Sequence, residues 1–174
     1  IFIYQLMEQL ALKYADCVTV TSKKDKKYIS DIYKWPSSKL AILPNFIDTA
    51  LFKPLNSKKY ADRIVFVGRL NSQKNLFNLI SAIAKTDFTL DIYGKGELWK
   101  VLEMHAKEQG AIVSFMGTVP NRKLPEILNR YKYYILASYF EGMPKTLLES
   151  MACGLVCIGT DVEGINEVIE NGVN

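Results

Sequence analysis

The 174-residue sequence has one histidine, His105, and only three cysteines, Cys17, Cys153 and Cys157. His105 stands far from all three, so no zinc-site spacing exists, and an odd cysteine count argues against a disulfide framework. Buried free thiols in a reducing compartment are expected. No Asp-x-Asp pair occurs anywhere in the chain. There is no low-complexity tract and no internal repeat. No apolar run is long enough to cross a bilayer: the stretch from Ile1 to Leu12 is broken by Gln5, Glu8 and Gln9. No signal peptide is visible. The chain starts on Ile1 rather than Met and stops at Asn174 without an obvious closing element, so it reads as an excised piece of a longer protein.

What is present suits one domain with a little left over. Apolar residues make up 49% of the chain, enough for a sizeable core. The net charge of +4 is uneven. Residues 1–60 hold 10 Lys+Arg and 5 Asp+Glu, while residues 61–174 hold 12 and 13, giving +5 and −1. The basic excess includes Lys23, Lys24, Lys26 and Lys27. Such a run reads as a solvated helix face or as attraction to an anionic membrane surface or polyanion; its shortness and Asp25 within it favour the former.

Residues 1–14 carry helical spacing, with Ile3, Leu6, Leu10 and Leu12 among the apolar positions. Cys17–Thr21 is a β-rich run, Ser22 can cap a helix reaching Tyr33, and Leu40–Pro44 is a second strand candidate. Asn45–Asp48 has Asx-turn chemistry. Residues 55–61 read as a polar, Lys-rich connector. From Asp62 the alternation is regular. Strands are expected at Ile64–Val67, Thr89–Tyr93, Ile112–Phe115, Tyr133–Ala137 and Leu155–Ile158. Helices are expected at Leu76–Ala84, Leu98–Glu108, Leu124–Tyr131, Lys145–Ala152 and Ile165–Glu170. Apolar strands separated by amphipathic helices imply a parallel sheet covered on both faces, an α/β, Rossmann-like doubly wound fold.

The most informative stretch is Ser138–Gly154, a loop and helix between two apolar runs. Pro144 can take the first helical position, Leu147, Leu148 and Met151 fall at helical spacing, and Gly154 can end the helix in a left-handed cap. The loop then meets a helix N-terminus at a strand's carboxyl end, where an open parallel sheet binds anions. Glu141 lies in the loop and Glu149 inside the helix. Glu149 reads either as a solvated position beside Lys145 or as a ligand-facing carboxylate. An acid/base pair for hydrolysis is disfavoured, because eight residues of helix span about 12 Å and paired glycosidase carboxylates sit roughly 5–9.5 Å apart. Two contacts on one elongated ligand fit better.

A second candidate follows the first strand of the regular region. Gly68 allows close backbone approach, and Arg69 and Lys74 flank a loop entering a helix. They are either ordinary surface cations or a diphosphate site, Arg as a fork and Lys as a point charge. The run Gly94-Lys95-Gly96-Glu97-Leu98-Trp99 imitates a dinucleotide fingerprint, but Trp99 occupies the last glycine position and the run follows the second strand. It reads as a turn into a helix.

Glu141–Gly154 resembles the E-x7-E signature of retaining GT-B glycosyltransferases, family 4. The likeness extends to Ala15–Ser22, Leu43–Asp48, Gly68–Asn75, Phe115–Pro120 and Gly159–Ile169. Departures are Lys145, where a small or apolar residue is frequent, Ser150 in place of Ala, Asn75 in place of Gly and Glu163 in place of Gly. The resemblance implies that Glu141 lies at the transferred sugar as the catalytic carboxylate. It puts Glu149 on the ribose hydroxyls and Arg69 and Lys74 on the diphosphate, with Gly142, Met143, Lys145 and Thr146 at the helix N-terminus. Val119 would line the base, and Gly94 would lie near the donor. Gly159–Ile169 is expected as framework. With no Asp-x-Asp pair, no metal ligand is assigned; Arg69, Lys74 and the helix N-terminus would supply the positive potential instead.

The resemblance thus implies residues 1–54 as the end of an amino-terminal domain and the crossover, and residues 55–174 as a nucleotide-sugar-binding Rossmann-like domain. The expected activity is retaining hexosyl transfer to a glycan or lipid-linked acceptor through the missing domain, with this piece alone inactive. No cofactor is expected beyond a UDP- or GDP-linked donor, and no nucleic acid partner. A cytoplasmic site is expected, free or peripherally attached to the inner membrane face. A nucleotide-sugar epimerase of the same fold and a non-catalytic sugar-nucleotide-binding module are the alternatives.

Overall fold

The computed structural model describes residues 2–174, so Ile1, within the first expected helix, lies outside the described residues. The chain divides into two compact units, Ile1–Asn45 and Phe46–Asn174. The expected boundary at residues 54 and 55 falls inside the second unit, because Phe52 belongs to that unit's core. Asn129 ties the neighbouring segment down. Its Nδ2 donates to Lys53 O at 3.0 Å, and its Oδ1 accepts from Leu55 N at 2.7 Å. The connector beyond is docked as well: Ser57 Oγ donates to Asn129 O and Tyr60 N to Arg130 O.

In the first unit, α1 (Phe2–Tyr14) leads to β1 (Val18–Val20), α2 (Lys23–Tyr33) and β2 (Leu40–Ile42). β1 and β2 pair in parallel. Ser22 caps α2 as expected, its hydroxyl accepting from Asp25 N at 3.0 Å. The lysines of α2 lie on a helix with no buried residue. Cys17 is exposed, against the expectation of three buried thiols; Cys153 and Cys157 are buried and free. Cys17 stands just before β1, where the strand contributes only Val20 to the interior.

In the second unit, β3 (Arg63–Val67), α3 (Leu76–Ile83), β4 (Thr89–Tyr93), α4 (Trp99–Gln109), β5 (Val113–Gly117), α5 (Leu124–Leu128), β6 (Tyr133–Leu136), α6 (Lys145–Ala152) and β7 (Val156–Gly159) alternate along the chain. The five strands form one parallel sheet in the order β5-β4-β3-β6-β7. The chain starts in the middle, builds outward to one edge, returns and builds outward to the other. That reversal opens a crevice at the carboxyl ends of β3 and β6, where ligands bind in doubly wound sheets.

Burial follows the strand order. Val65, Phe66, Leu90 and Ile92 of the central strands are fully buried, each worth roughly 1.5–3 kcal/mol of apolar transfer. Both faces are covered there, as expected. At the edge, β7 buries Cys157 but exposes Val156 and Ile158, so the expectation of two covered faces does not extend to it. α5 stops at Leu128, short of Tyr131, where Asn129 Nδ2 takes Pro125 O at 2.9 Å as well as Lys53 O. No helix forms over Ile165–Glu170; turns run to Val168, and Ile169 and Glu170 have no regular structure. Gly164, at φ +80°, precedes them, and their bonds mix three- and four-residue spacings, such as Val168 N to Ile165 O and Ile169 N to Ile165 O.

β4 conceals a charge in the core. Asp91 is 1% exposed. Its carboxylate takes both oxygens' worth of Arg63 Nη1, at 2.8 and 2.9 Å, and the Tyr131 hydroxyl at 2.7 Å. Burial, with these bonds behind it, drives the Tyr131 hydroxyl far above its ordinary pKa. The Arg63 guanidinium is pushed up by its bond to Asp91 and stacks on Tyr60, 5.4 Å from the ring centre.

Candidate donor site

Three loops at the carboxyl ends of the strands build the site. The first follows β3, the second β4, and the two touch backbone to backbone. Gly94 takes φ +147°, and a Cβ there would lie 1.8 Å from Gly68 O. No other residue fits, so the expected close approach at Gly68 is real, but its partner is the next loop. The third loop, after β6, leads into α6.

These loops, with the segment after β5, surround a cavity of about 450 Å³. Arg69, Gly94, Val119, Asn121, Lys145, Thr146 and Glu149 line it. Of the expected site residues, the structure therefore gathers Arg69, Val119, Lys145, Thr146, Glu149 and Gly94 at one place. Lys74, Glu141, Gly142 and Met143 are not in that lining; the last three belong to the loop before α6, and Lys74 reaches Glu141 from the loop after β3. A larger concavity, about 940 Å³, runs along β7 and the turns after it. Its lining carries Asp161, Glu167 and Glu170 and no Lys or Arg, which disfavours an anionic ligand.

Glu149 is the fifth residue of α6 and is 6% exposed. The solvated-face reading is thus overturned: burial raises its pKa, partly offset by a contact from Asn121 Nδ2 at 3.5 Å and by the charge of Lys145. A carboxylate left with one long contact in a half-open cavity retains lone pairs for a ligand's donors. Lys145 is exposed, with Nζ 5.6 Å from the Phe46 ring centre. Thr146 shares a hydrogen bond with Tyr134 at 2.8 Å. Pro144 stands one position earlier than expected, outside the helix as its N-cap at ψ 111°, and Gly154 lies just past the C-cap at φ +74°, as expected.

Glu141 is stapled in place. Its Oε1 accepts from Lys74 Nζ and from Ser138 Oγ, both at 2.5 Å. Ser138 O accepts from Thr160 Oγ1 at 2.6 Å. Glu141 N donates to Glu163 O, and Gly164, at φ +80°, packs so close that a Cβ would lie 2.0 Å from Gly142 O. From the other side, Gln73 Nε2 donates to Phe140 O at 2.8 Å, and Tyr139 N to Gln73 O.

Residues 48–174 match the family model for Glycosyl transferases group 1. The chain belongs to the glycosyl transferases group 1. It is 31% identical over 156 residues to the GalNAc-α-(1->4)-GalNAc-α-(1->3)-diNAcBac-PP-undecaprenol α-1,4-N-acetyl-D-galactosaminyltransferase of Campylobacter jejuni, covering 86% of this chain and 42% of that protein. It is 28% identical over 194 residues to an Escherichia coli UDP-Gal:GlcNAc-diphosphoundecaprenol α-1,3-galactosyltransferase, covering 97% of this chain and 49% of that protein. Among solved structures, Anabaena HepE with UDP and glucose superposes with a TM-score of 0.86 at 20% identity, covering 98% of this chain and 51% of that one. The group 1 chain thus has the Rossmann-like domain of a GT-B fold and spans about half the length of these relatives.

Within this group 1 chain, sequence reasoning passed over Ser138, Thr160, Gly164, Gln73 and Asn121. Gly159–Ile169, expected as framework, does act as support, but at the Glu141 loop itself. Only Gly164 carried a local signal, a glycine between Glu163 and an apolar pair. The others are polar residues whose partners stand far away in the chain.

Proposed function

We propose that this chain is the nucleotide-sugar-binding part of a retaining glycosyltransferase of family 4, and that the full protein passes a hexosyl unit from a UDP- or GDP-linked donor to a glycan or lipid-linked acceptor. The buried Glu149 in a cavity that also holds Arg69 and Lys145 carries the reading. Glu149 accepts the two vicinal ribose hydroxyls, Val119 and neighbouring backbone meet the base, and Arg69, Lys74, Lys145 and the N-terminus of α6 neutralise the diphosphate. Glu141, stapled before α6, faces the transferred sugar. The departing phosphate helps remove the acceptor proton on the same face, while the site stabilises the leaving diphosphate and an oxocarbenium-like sugar. The relatives bear transferase names, which favours transfer over the epimerase and the non-catalytic module. The undecaprenol-linked acceptors in two of those names support a lipid-linked acceptor met at the inner membrane face. Among the described residues, no helix is long and apolar enough to cross a membrane.

Calorimetric titration with nucleoside diphosphate and its 2′-deoxy form tests the reading. The parent should prefer ribose, and Glu149→Gln should lose roughly 1.5–3 kcal/mol of binding together with most of that preference. A Glu149→Gln chain that discriminates ribose as strongly as the parent would refute the ribose role. The same titration in chelator should be unchanged; affinity lost to chelation and restored by magnesium or manganese would refute a metal-free diphosphate site.

A further inference from the structure

The charge assigned to the diphosphate at Lys74 is already in use. Lys74 and Glu141, with side chains 15% and 8% exposed, meet at 2.5 Å. An ammonium is a compact point charge, and an incoming diphosphate and the Glu141 carboxylate must compete for it.

The surroundings decide which partner yields. Glu141 is held from several directions: by the Ser138 hydroxyl on its carboxylate, by Glu163 O on its backbone, and by Gly164 packed against its carbonyl. Ser138 is itself buried and fixed through Thr160. Lys74 sits at the end of a single 3-10 turn, Ser72–Lys74, and its side chain is a flexible four-carbon stem. The lysine side chain hangs on this one bond, whereas the glutamate keeps Ser138 when it is broken.

We propose that Lys74 is a transferable counterion. In the ligand-free chain it neutralises Glu141. An arriving diphosphate draws it away, and Glu141 stays on Ser138 as an unpaired anion where the donor sugar lies. Donor binding itself thereby exposes the negative charge that favours a positively charged sugar in the transition state, and the empty site holds that charge masked. The inference rests on the reading of Lys74 as a diphosphate ligand.

The test is a cycle of the parent chain, Glu141→Gln, Lys74→Ala and the double variant, each titrated calorimetrically with UDP and with inorganic pyrophosphate, which needs no base pocket. Glu141→Gln should bind both ligands about three- to tenfold tighter, and Lys74→Ala about tenfold weaker. The gain from Glu141→Gln should shrink about threefold or more once Lys74 is gone, because competition for the lysine has then vanished. Should Lys74→Ala melt early, Lys74→Gln, which keeps a donor for Glu141, replaces it. An equal gain in both backgrounds would mean plain repulsion between Glu141 and the ligand. Weaker binding by Glu141→Gln would mean that the glutamate orients the lysine. Either result overturns the transfer while leaving the diphosphate reading intact. Unchanged pyrophosphate binding by Lys74→Ala overturns that reading, and the inference with it.

Discussion

Asp91 and Glu149 are both buried carboxylates of the second unit, and the fold treats them oppositely. Asp91, in the middle of β4, is met by Arg63 and Tyr131 at 2.7–2.9 Å. Glu149, in α6, has one amide at 3.5 Å and a cavity in front of it. A buried charge costs several kcal/mol unless its lone pairs are filled. Asp91 is filled by the protein, so its place is structural. Glu149 is left with the cost of burial and little return, which supports the ligand role proposed for it. Burial alone therefore does not separate framework from site; satisfaction does.

The largest expected effect probes the satisfied partner. Asp91→Ala leaves the inner part of Arg63 without its acceptor and Tyr131 with only a 3.4 Å contact to the Tyr93 hydroxyl, and should cost about 2–4 kcal/mol of unfolding free energy in urea titration, discounted because Arg63 is partly exposed. A loss below about 0.5 kcal/mol would show that the network is ornamental. Tyr131→Phe removes one donor and leaves the ion pair, so it should cost about 1 kcal/mol, with nucleoside-diphosphate affinity unchanged. A shift in that affinity would mean that the two regions are coupled.

The smallest effect has the opposite sign. Glu149→Gln should stabilise the ligand-free chain at neutral pH by about 1 kcal/mol, or roughly 2–4 °C in melting temperature. The pH dependence follows from the raised pKa of Glu149. The folded chain holds that proton more tightly than the unfolded chain. Its contribution is fully present below the ordinary carboxylate pKa and is lost as pH rises through the raised folded value. The parent should therefore match Glu149→Gln in acid and fall behind as pH climbs through that window. Parallel melting curves across the range would show that Glu149 is as well satisfied as Asp91.

Much of this was legible along the chain. Thr89–Tyr93 and Lys145–Ala152 appear at the expected residues, since each couples an apolar pattern to clear boundaries: turns around the strand, Pro144 and Gly154 around the helix. Local patterns failed where a distant group intervened. α5 ends early because Asn129 turns its side chain to Lys53, 76 residues away. Asp91 passed as an unremarkable strand position because Tyr131, 40 residues on, cannot be foreseen as its donor.

The order of apolar strands and amphipathic helices, the glycines and the spacing of Glu141 and Glu149 were sufficient for the α/β fold and for the neighbourhood of the site, because periodicity and turn chemistry are properties of adjacent residues. Which carboxylate is spent on the framework and which is left open was decided only in three dimensions. It depends on whether Arg63, Tyr131, Lys74, Ser138 and Asn121 arrive within hydrogen-bond reach, and those distances arise from the packing of loops drawn from across the chain.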